Sequence, residues 1–304
     1  EDDDTTTFKC VDFVGVIDTT DFMGGIYAEK TVGDLVSEIM TSAEVKDDEY
    51  QLDATLAEKT VSGYIPICTH REALQQVAFA IGAIVDCSRG KAIKIYPASE
   101  TVKGTITHDE KMSGHTVKYT TLVTGVEVTT HRYTVGASQS DAYEETLQPG
   151  TYTITFGSPY SGITASGATI LSSGANYAVI SVTAAGKVTI SGYQYEDSTS
   201  VVGVYAVELP ANAKPNVISC DSGATLVSAS NAAAIAQRLY NYYQNRYEDE
   251  GDMILGNQKV GEVWRMNSLN DRDLQGAIER LDIDMLTEIA KVKLTGSAKA
   301  RTTT

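Results

Sequence analysis

The segment from residue 63 to residue 83 constrains the fold most, because a proline-stopped turn leads there into a capped amphipathic helix. Thr69 can cap this helix, and Glu72 three residues later can bond back to the cap, as in a capping box. Apolar side chains then recur at helical spacing at Leu74, Val77, Ala78 and Ile81. We therefore predict a helix over about 70–83 with one face on a core. The segment holds no nucleophile motif, metal-ligand cluster or phosphate-binding loop. It therefore indicates a structural role rather than a catalytic or ligand-binding one.

The charge balance restricts the partners that this chain can have. Its 304 residues carry 40 acidic and 24 basic side chains, which gives a net charge of −16. Such a surface repels nucleic-acid phosphates and anionic lipids, so we expect no specific nucleic-acid partner. The chain has no apolar run of about eighteen residues, so we expect no membrane insertion. The length suggests two or three domains with a sizeable core.

Cysteine and tyrosine usage gives two further indications. The cysteines are scattered without CxxC spacing, at Cys10, Cys68, Cys87 and Cys220. This pattern predicts small buried thiols in a protein made in a reducing cytosol, rather than a disulfide framework or a zinc site. The chain has 17 tyrosines but only 5 phenylalanines. Tyrosine is favoured at protein interfaces and also in half-buried strands, and both interpretations stay open.

The first part of the chain predicts a small α+β domain over residues 1–101. Residues 8–17 are β-branched or aromatic and predict a strand. Thr31 is expected to cap a first helix. After the helix described above, residues 84–96 predict a hairpin with Arg89 and Gly90 at its turn.

The rest of the chain predicts two more modules. Residues 137–214 are rich in glycine and serine, alternate in short apolar sets and lack helical periodicity, which is typical of a small all-β, sandwich-like module. Around it we expect a second domain from residues 102–136 and 215–304, with a helix over about 232–247. A three-stranded meander is expected over residues 260–266, 276–284 and 288–294. The predicted fold class is therefore α+β: two small barrel-plus-helix domains with an inserted all-β module.

The histidines do not form a recognisable site. They lie far apart in sequence, without ligand spacing, at His70, His108, His115 and His131. No GxSxG motif that would supply a nucleophilic serine is present. His70, at a helix start, and His131, on a strand, are interpreted as surface or capping residues rather than catalytic ones.

Paired carboxylates are the strongest argument for an enzyme. Asp282 and Asp284 lie two apart on one strand face, and Asp271 and Asp273 share a loop. A glycosidase needs two carboxyl groups, one of them with a raised pKa. Because the chain has 40 acidic residues, such pairs arise by chance, and chance is the preferred explanation.

Three other features have structural explanations. The acidic runs 47–49 and 2–4 lack the ligand pattern of a calcium-binding EF-hand, so we expect solvated loops there. Gly24 and Gly25 are interpreted as a turn, because no phosphate-binding motif surrounds them. Trp264, the only tryptophan, is expected in a core or an interface rather than as a sugar platform. We therefore predict no catalytic, cofactor-binding or metal-binding residue, and no cofactor.

A series of segments with a characteristic order covers most of the chain, at residues 12–18, 24–27, 63–83, 85–89, 93–97, 125–129, 240–243, 261–263 and 278–284. In their order and spacing these segments resemble the tail-tip proteins common in prophages of Gram-positive bacteria. The resemblance lies in spacing and core residues and includes no catalytic signature. The family's proteins usually begin further upstream than this chain does.

The family is similar to the baseplate hub proteins of phage tails and related contractile injection machines. The resemblance implies two hub-like barrel domains per subunit, and three copies in a ring that adapts a sixfold tail tube to a threefold spike. It implies a structural protein of the virion tail, assembled in the host bacterial cytoplasm, and not an enzyme. Its partners would be copies of itself, as a homotrimer, and neighbouring tail proteins.

Two alternative functions are kept. The inserted module at 137–214 could be an adhesin that binds a host surface glycan, since loops rich in glycine, serine and tyrosine suit such binding. A cell-wall hydrolase with Asp282 and Asp284 as its acids is the weaker alternative.

Overall fold

The computed structural model describes residues 11–88, 90–220, 223–267 and 272–300. The chain divides into two compact units. The first unit comprises residues 1–96, 128–202 and 221–233, and the second comprises 97–127, 203–220 and 234–304. The three-part division into 1–101, 102–136 with 215–304, and 137–214 stays a prediction.

Strand dominates over helix among the described residues, so the predicted mixed α+β class is confirmed. The helices are α1 (Phe13–Val16), α2 (Val32–Ser42), α3 (Ala54–Ala57), α4 (His70–Ile81) and α5 (Ala232–Tyr243), with a short 3-10 helix at Ile17–Thr19. The strands up to residue 119 are β1 (Asp21–Phe22), β2 (Gly25–Thr31), β3 (Tyr50–Leu52), β4 (Thr60–Ile65), β5 (Cys68–Thr69), β6 (Ala83–Asp86), β7 (Ile93–Pro97), β8 (Val102–Ile106) and β9 (Thr116–Tyr119). The later strands are β10 (Gly125–Leu147), β11 (Gly150–Thr155), β12 (Tyr160–Ser166), β13 (Thr169–Ser173), β14 (Tyr177–Val182), β15 (Gly186–Tyr205), β16 (Val217–Cys220), β17 (Tyr247–Ile254), β18 (Val263–Asn267), β19 (Arg272–Asp284) and β20 (Ile289–Ala300).

The two long helices of the first unit begin as their sequences predict. Thr31 caps α2 by accepting a hydrogen bond from the Asp34 backbone N–H at 3.2 Å. Thr69 and Glu72 form both hydrogen bonds of a capping box at the start of α4. This helix ends at Ile81 because Gly82 takes a left-handed conformation, with φ of 74°.

Three small sheets surround these helices: β1 with β5, β2 with β4, and β3, β7 and β6 in that order. The hairpin of β6 and β7 is therefore as predicted, although Arg89 of its turn lies outside the described residues. The predicted strand over 8–17 is wrong at its second half, which forms α1 instead. Asp12 caps α1 by accepting the Gly15 backbone N–H at 2.7 Å, and residues 8–10 lie outside the described residues. The fully buried side chains of this part include Leu35, Ile39, Met40, Ile65, Leu74 and Ile95.

The β-rich part of the first unit contains two sheets. One has the order β11, β14, β13, and the other includes β12, β15 and β10 in that order. The alternating sets expected from the sequence form the core between these strands, with Phe156, Ala178, Ile180, Val182, Val188 and Ile190 buried. The helices and strands assigned within residues 137–214 are all strands, and the division of this range into an inserted sandwich-like module stays a prediction.

The second unit contains a six-stranded sheet in the order β8, β18, β19, β20, β17, β9. The pair β8–β18 is parallel, and the other pairs are antiparallel. The predicted meander is confirmed as β18, β19 and β20. The predicted helix over 232–247 ends earlier, at Tyr243, because β17 begins at Tyr247. Closure of either predicted barrel stays a prediction.

A close backbone contact in the first unit depends on Gly63 of β4. Its φ is +146°, and a Cβ there would lie 2.3 Å from the carbonyl oxygen of Thr225. This distance is far shorter than any observed between a Cβ and a non-bonded heavy atom. The nearest atoms all belong to the backbone of Thr225 and Leu226, so no flexible side chain could move aside.

We therefore predict that Gly63→Ala lowers the free energy of unfolding by about 2 kcal/mol or more, through clash and backbone strain. Urea unfolding followed by circular dichroism measures this change. Gly186→Ala is the matched control, because a Cβ at Gly186 would meet no atom within 4 Å. Equal stability of the two variants would show that the contact at Gly63 is not close.

Candidate functional site

A buried histidine–aspartate pair lies in the first unit. His131 on β10 is 6% exposed, and its Nδ1 lies 2.7 Å from Oδ2 of Asp197 on β15. An ionised carboxylate only accepts, so Nδ1 carries the proton, and Nε2 of a neutral ring presents its lone pair. Nε2 is buried and has no hydrogen-bond partner among the described residues. The sequence analysis missed this pair because its two residues are far apart in the sequence and share no local motif. The strands that carry them, β10 and β15, are neighbours only in the folded sheet.

A cavity of about 320 Å³ borders His131. Its walls come from residues 26–28 of β2, 62–63 of β4, 131–133 of β10 and the segment 228–230. The Ser62 hydroxyl in this wall accepts the backbone N–H of Glu29 at 2.9 Å. The hydroxyls of Ser228 and Ser230 bond to each other at 2.8 Å.

Aromatic rings stabilise the pair from one side. The Tyr133 ring stacks on the His131 ring at 6.1 Å and contacts the Tyr64 ring at 5.4 Å between centroids. Burial and the negative charge of Asp197 raise the pKa of Tyr133, so its hydroxyl stays protonated. The strand β10 thus presents a fixed imidazole and a neutral phenol side by side.

The arrangement has two parts of a serine-hydrolase triad without the third. Catalysis by such a triad requires a hydrogen bond from the nucleophilic hydroxyl to Nε2. Here the Ser228 hydroxyl bonds to Ser230, and Nε2 has no partner among the described residues. The described residues therefore do not assemble a serine triad around His131.

His70 is also buried, at 1% exposure, so the surface interpretation of His70 and His131 is wrong. The Nδ1 of His70 lies 2.8 Å from the backbone carbonyl of Thr20, and its Nε2 lies 3.0 Å from the Ser42 hydroxyl. With both ring nitrogens bonded, His70 ties the start of α4 to the preceding segment and to the end of α2. His108, in contrast, is exposed.

The second unit contains a buried charged cluster around Asp249 of β17. The carboxylate is fully buried and lies 2.6 Å from Nδ1 of His115 and 3.2 Å from Nζ of Lys111. Nε2 of His115 lies 2.9 Å from the backbone carbonyl of Asp252. Lys111 also donates to the carbonyl of Asn267 at 3.0 Å. These bonds fix the segment before β9 to β17, which is a structural role.

Removing the anion from this cluster should destabilise the second unit strongly. Asp249→Asn leaves the buried Lys111 and His115 without their charged acceptor, and we expect a loss of about 3 kcal/mol in the free energy of unfolding. Asp282→Asn is the matched control, since the Arg280–Asp282 ion pair is more than half exposed and such pairs contribute little. Chemical denaturation of both variants tests this, and a similar effect of the two changes would contradict it.

The carboxylate pairs lack the environment of a glycosidase. Asp282 and Asp284 are exposed near the end of β19. The pKa of Asp284 is lowered by hydrogen bonds from the Leu286 backbone N–H and the Thr287 hydroxyl, the opposite of what a catalytic acid needs. Asp273 is buried and accepts from Asn267 at 2.8 Å, and Asp271 lies outside the described residues.

The structure also describes most of the residues for which the sequence analysis gave a structural explanation. In the loop 47–49, Glu49 accepts the Lys46 backbone N–H at 2.9 Å, and residues 2–4 lie outside the described residues. Gly24 adopts φ of +61° against the Ile65 carbonyl. Trp264 is buried in the core of the second unit. In the part of the chain that the structure describes, no group of three or more His, Cys, Asp or Glu side chains is placed to hold a metal ion.

No helix within the described ranges is both long and apolar enough to cross a lipid bilayer. Of the four cysteines, Cys68 and Cys87 are free and half-buried, Cys220 is half-buried, and Cys10 lies outside the described residues. Burial raises the pKa of Cys68 to about 11, and the charges of Glu72 and Asp21 add to this effect.

We predict that Cys68 is alkylated by iodoacetamide at pH 8 roughly 20-fold more slowly than a free cysteine peptide. The thiolate fraction is roughly 200-fold lower, and the higher nucleophilicity of a more basic thiolate recovers about tenfold. Mass spectrometry of the Cys68 peptide measures the rate, with denatured protein as the control. The rate should keep rising with pH up to about 10; a plateau near pH 9 would contradict a raised pKa.

No protein-family model and no curated protein matches the chain. The tail protein from Neisseria meningitidis is structurally similar over 93% of this chain and 72% of its own, with 9% identity and a TM-score of 0.52. The two proteins share a fold.

Two further solved structures match less well. A 43 kDa tail protein of a Shewanella oneidensis prophage matches over 90% of this chain, with 12% identity and a TM-score of 0.48. A chain in the virion of a native gene transfer agent particle matches over 88%, with 11% identity and a TM-score of 0.49. This chain spans 66% of the Shewanella protein and about half, 48%, of the gene transfer agent chain.

Proposed function

We propose that this protein is a structural component of a phage or phage-derived tail and not an enzyme. The observation that carries the proposal is the fold shared with the Neisseria meningitidis tail protein over 93% of the chain. The exposed carboxylates Asp282 and Asp284, and the lowered pKa of Asp284, give no support to the hydrolase alternative. The protein would lie in the virion tail, after assembly in the host bacterial cytoplasm.

Within the tail, we assign it the role of a baseplate hub or tail-tip subunit that forms a homotrimeric ring between the tail tube and the distal tip. The support is the six-stranded sheet of the second unit, whose end strands are β8 and β9. An end strand carries backbone donors and acceptors that can pair with another chain. Pairing β8 of one copy with β9 of the next is a head-to-tail contact, and such contacts produce a ring when the rotation between copies closes.

The end strands have side chains suited to a regulated contact. Lys103 in β8 and Lys118 in β9 are exposed, and charged residues on edge strands limit unspecific pairing. Tyr119 is 59% exposed, and the Arg246 guanidinium lies 4.1 Å from its ring centroid. Tyrosine and arginine are both enriched at protein interfaces. The net charge of −16 keeps free copies apart until specific pairing occurs.

Cross-linking between the two edges tests the ring. In the variant Lys103→Cys with Lys118→Cys, a bis-maleimide spanning about 10 Å, which covers two strand spacings, should give a ladder of covalent oligomers on a denaturing gel. The control is Lys46→Cys with Lys118→Cys, because Lys46 is exposed in a loop of the first unit. The single variants and the unmodified chain report reaction at the native cysteines.

Light scattering gives the oligomer size directly. We expect a trimer at about 100 μM, well above the roughly micromolar dissociation constants of weak specific interfaces. A strict monomer at that concentration, with no cross-linked ladder, would overturn self-assembly. Binding of a host surface glycan by residues 137–214 stays a separate prediction.

A further inference from the structure

The turn that joins β19 to β20 presents large apolar side chains to solvent. Met285 and Leu286 in this turn are 84% and 96% exposed. At the same end of the sheet, Ile254 of β17 pairs with Ile289 of β20 and is 48% exposed. Single exposed apolar side chains are ordinary on protein surfaces, but a group of them marks an interaction site. We call residues 285–287 the hairpin tip.

Hydrogen bonds hold the hairpin tip in one conformation. The Asp284 carboxylate accepts the Leu286 backbone N–H at 2.9 Å and the Thr287 hydroxyl at 2.8 Å. The Glu288 backbone N–H donates to the Asp284 carbonyl at 3.0 Å. Because the turn is already ordered, little conformational freedom is lost when its apolar side chains bind to another surface.

The first unit contains an open groove with apolar walls, which we call the Phe79 groove. Its volume is about 490 Å³, and it lies between residues 66–68, α4 and residues 223–224. Pro66 and the half-buried Phe79 ring supply apolar surface. Burial raises the pKa of Cys68 in the same wall to about 11, so its thiol is neutral near pH 7. The groove therefore suits aliphatic side chains such as those of the hairpin tip.

The polar groups of the two surfaces do not oppose a contact between them. Among the described residues that line the groove, the charged one is Glu72, and its carboxylate accepts the Thr69 backbone N–H at 3.0 Å. The Asp284 carboxylate is bonded within its own turn in the same way. Gln75 is exposed in the groove wall, and its amide N–H groups can donate to the carbonyl oxygens of a turn. Docking would thus bury apolar surface while both carboxylates keep their donors.

The charges near the hairpin tip disfavour an anionic lipid surface as its binding partner. Asp282, Asp284 and Glu288 are exposed within three residues of the tip, and the whole chain carries a net charge of −16. A negatively charged membrane surface repels such a region. An uncharged protein groove avoids this repulsion.

We propose that the hairpin tip of one copy docks into the Phe79 groove of a second copy. The tip belongs to the second unit and the groove to the first, so the contact is head-to-tail. It rests on the proposed self-assembly, because so small a contact buries far less than the roughly 1,000 Å² of a stable interface. Pairing of copies at β8 and β9 raises the effective concentration of the tip at the groove.

Photo-cross-linking of the full chain tests this contact. The chain carries p-benzoylphenylalanine at position 286, and an equal mixture of ¹⁴N- and ¹⁵N-labelled chains is irradiated at about 100 μM. We expect cross-linked peptides of mixed isotope composition that join position 286 to the tryptic peptides 60–71 or 72–89. The same label at position 207 is the matched control, because Val207 is 99% exposed in the second unit. It should give no such peptide.

Substitutions on both surfaces measure what the contact contributes. Leu286→Asp should raise the dissociation constant of self-association about tenfold, because a carboxylate does not enter an apolar groove without a partner. Leu286 is 96% exposed, so this change leaves folding intact. Phe79→Ala should weaken self-association similarly from the groove side. Val207→Asp is the matched control and should leave the dissociation constant unchanged. Light scattering over a range of concentrations gives all four values.

Several results would contradict the contact: cross-links from position 286 that join chains of one isotope only, cross-links that map outside residues 60–89, or equal effects of Leu286→Asp and Val207→Asp. Cross-linking of position 286 to added phosphatidylcholine vesicles, in place of residues 60–89, would identify the tip as a lipid anchor instead. The ladder from Lys103→Cys with Lys118→Cys separates this inference from the proposed ring. If that ladder forms and the cross-link from position 286 does not, the docking contact alone is wrong. If neither forms, self-assembly is wrong as well.

Discussion

The first unit depends on one backbone contact, between β4 and residues 223–227. Tyr64 donates its backbone N–H to the Thr225 carbonyl at 3.2 Å, and the Thr225 hydroxyl returns a hydrogen bond to the Tyr64 carbonyl at 2.5 Å. The backbone N–H of His131 bonds to the carbonyl of Val227 at 2.8 Å. Three segments that are far apart in sequence meet here. The glycine at position 63 allows this approach, and it also lines the cavity beside His131 together with the residues that follow this segment, 228–230.

A buried side chain joins the β-rich part of this unit to its α+β part. Nδ2 of Asn176, in the loop before β14, donates to the backbone carbonyls of Met23 at 2.8 Å and Ile65 at 3.1 Å. These bonds span more than a hundred residues of chain. The contact restricts where the β-rich part can sit on β2 and β4, because an amide must meet two fixed carbonyls at once.

Local signals were sufficient for the elements that rely on neighbouring residues. The pair Thr69 and Glu72 predicted the start of α4, because a capping box is complete within four residues. Alternation predicted the buried positions of Ile180 and Ile190, because strand side chains face the core at every second residue. The strand predicted over 8–17 was wrong at residues 13–16. The β-branched and aromatic residues there favour a strand, but Asp12 caps a helix at this point. The pair of His131 and Asp197 could not be predicted from the sequence, because only the tertiary fold brings these two residues together.

The three buried histidines differ in how their ring nitrogens are bonded. His70 and His115 have acceptors or hydroxyls within hydrogen-bond distance of both ring nitrogens. Each can satisfy its ring entirely with groups of its own unit, which is what a structural histidine requires. His131 uses one nitrogen in the same way, on Asp197, and its Nε2 is buried without a partner among the described residues. Because Oδ1 of Asn176 is buried without a partner in the same unit, the unpaired nitrogen of His131 is not by itself a sign of a ligand, and the bond to Asp197 gives this histidine a structural role as well.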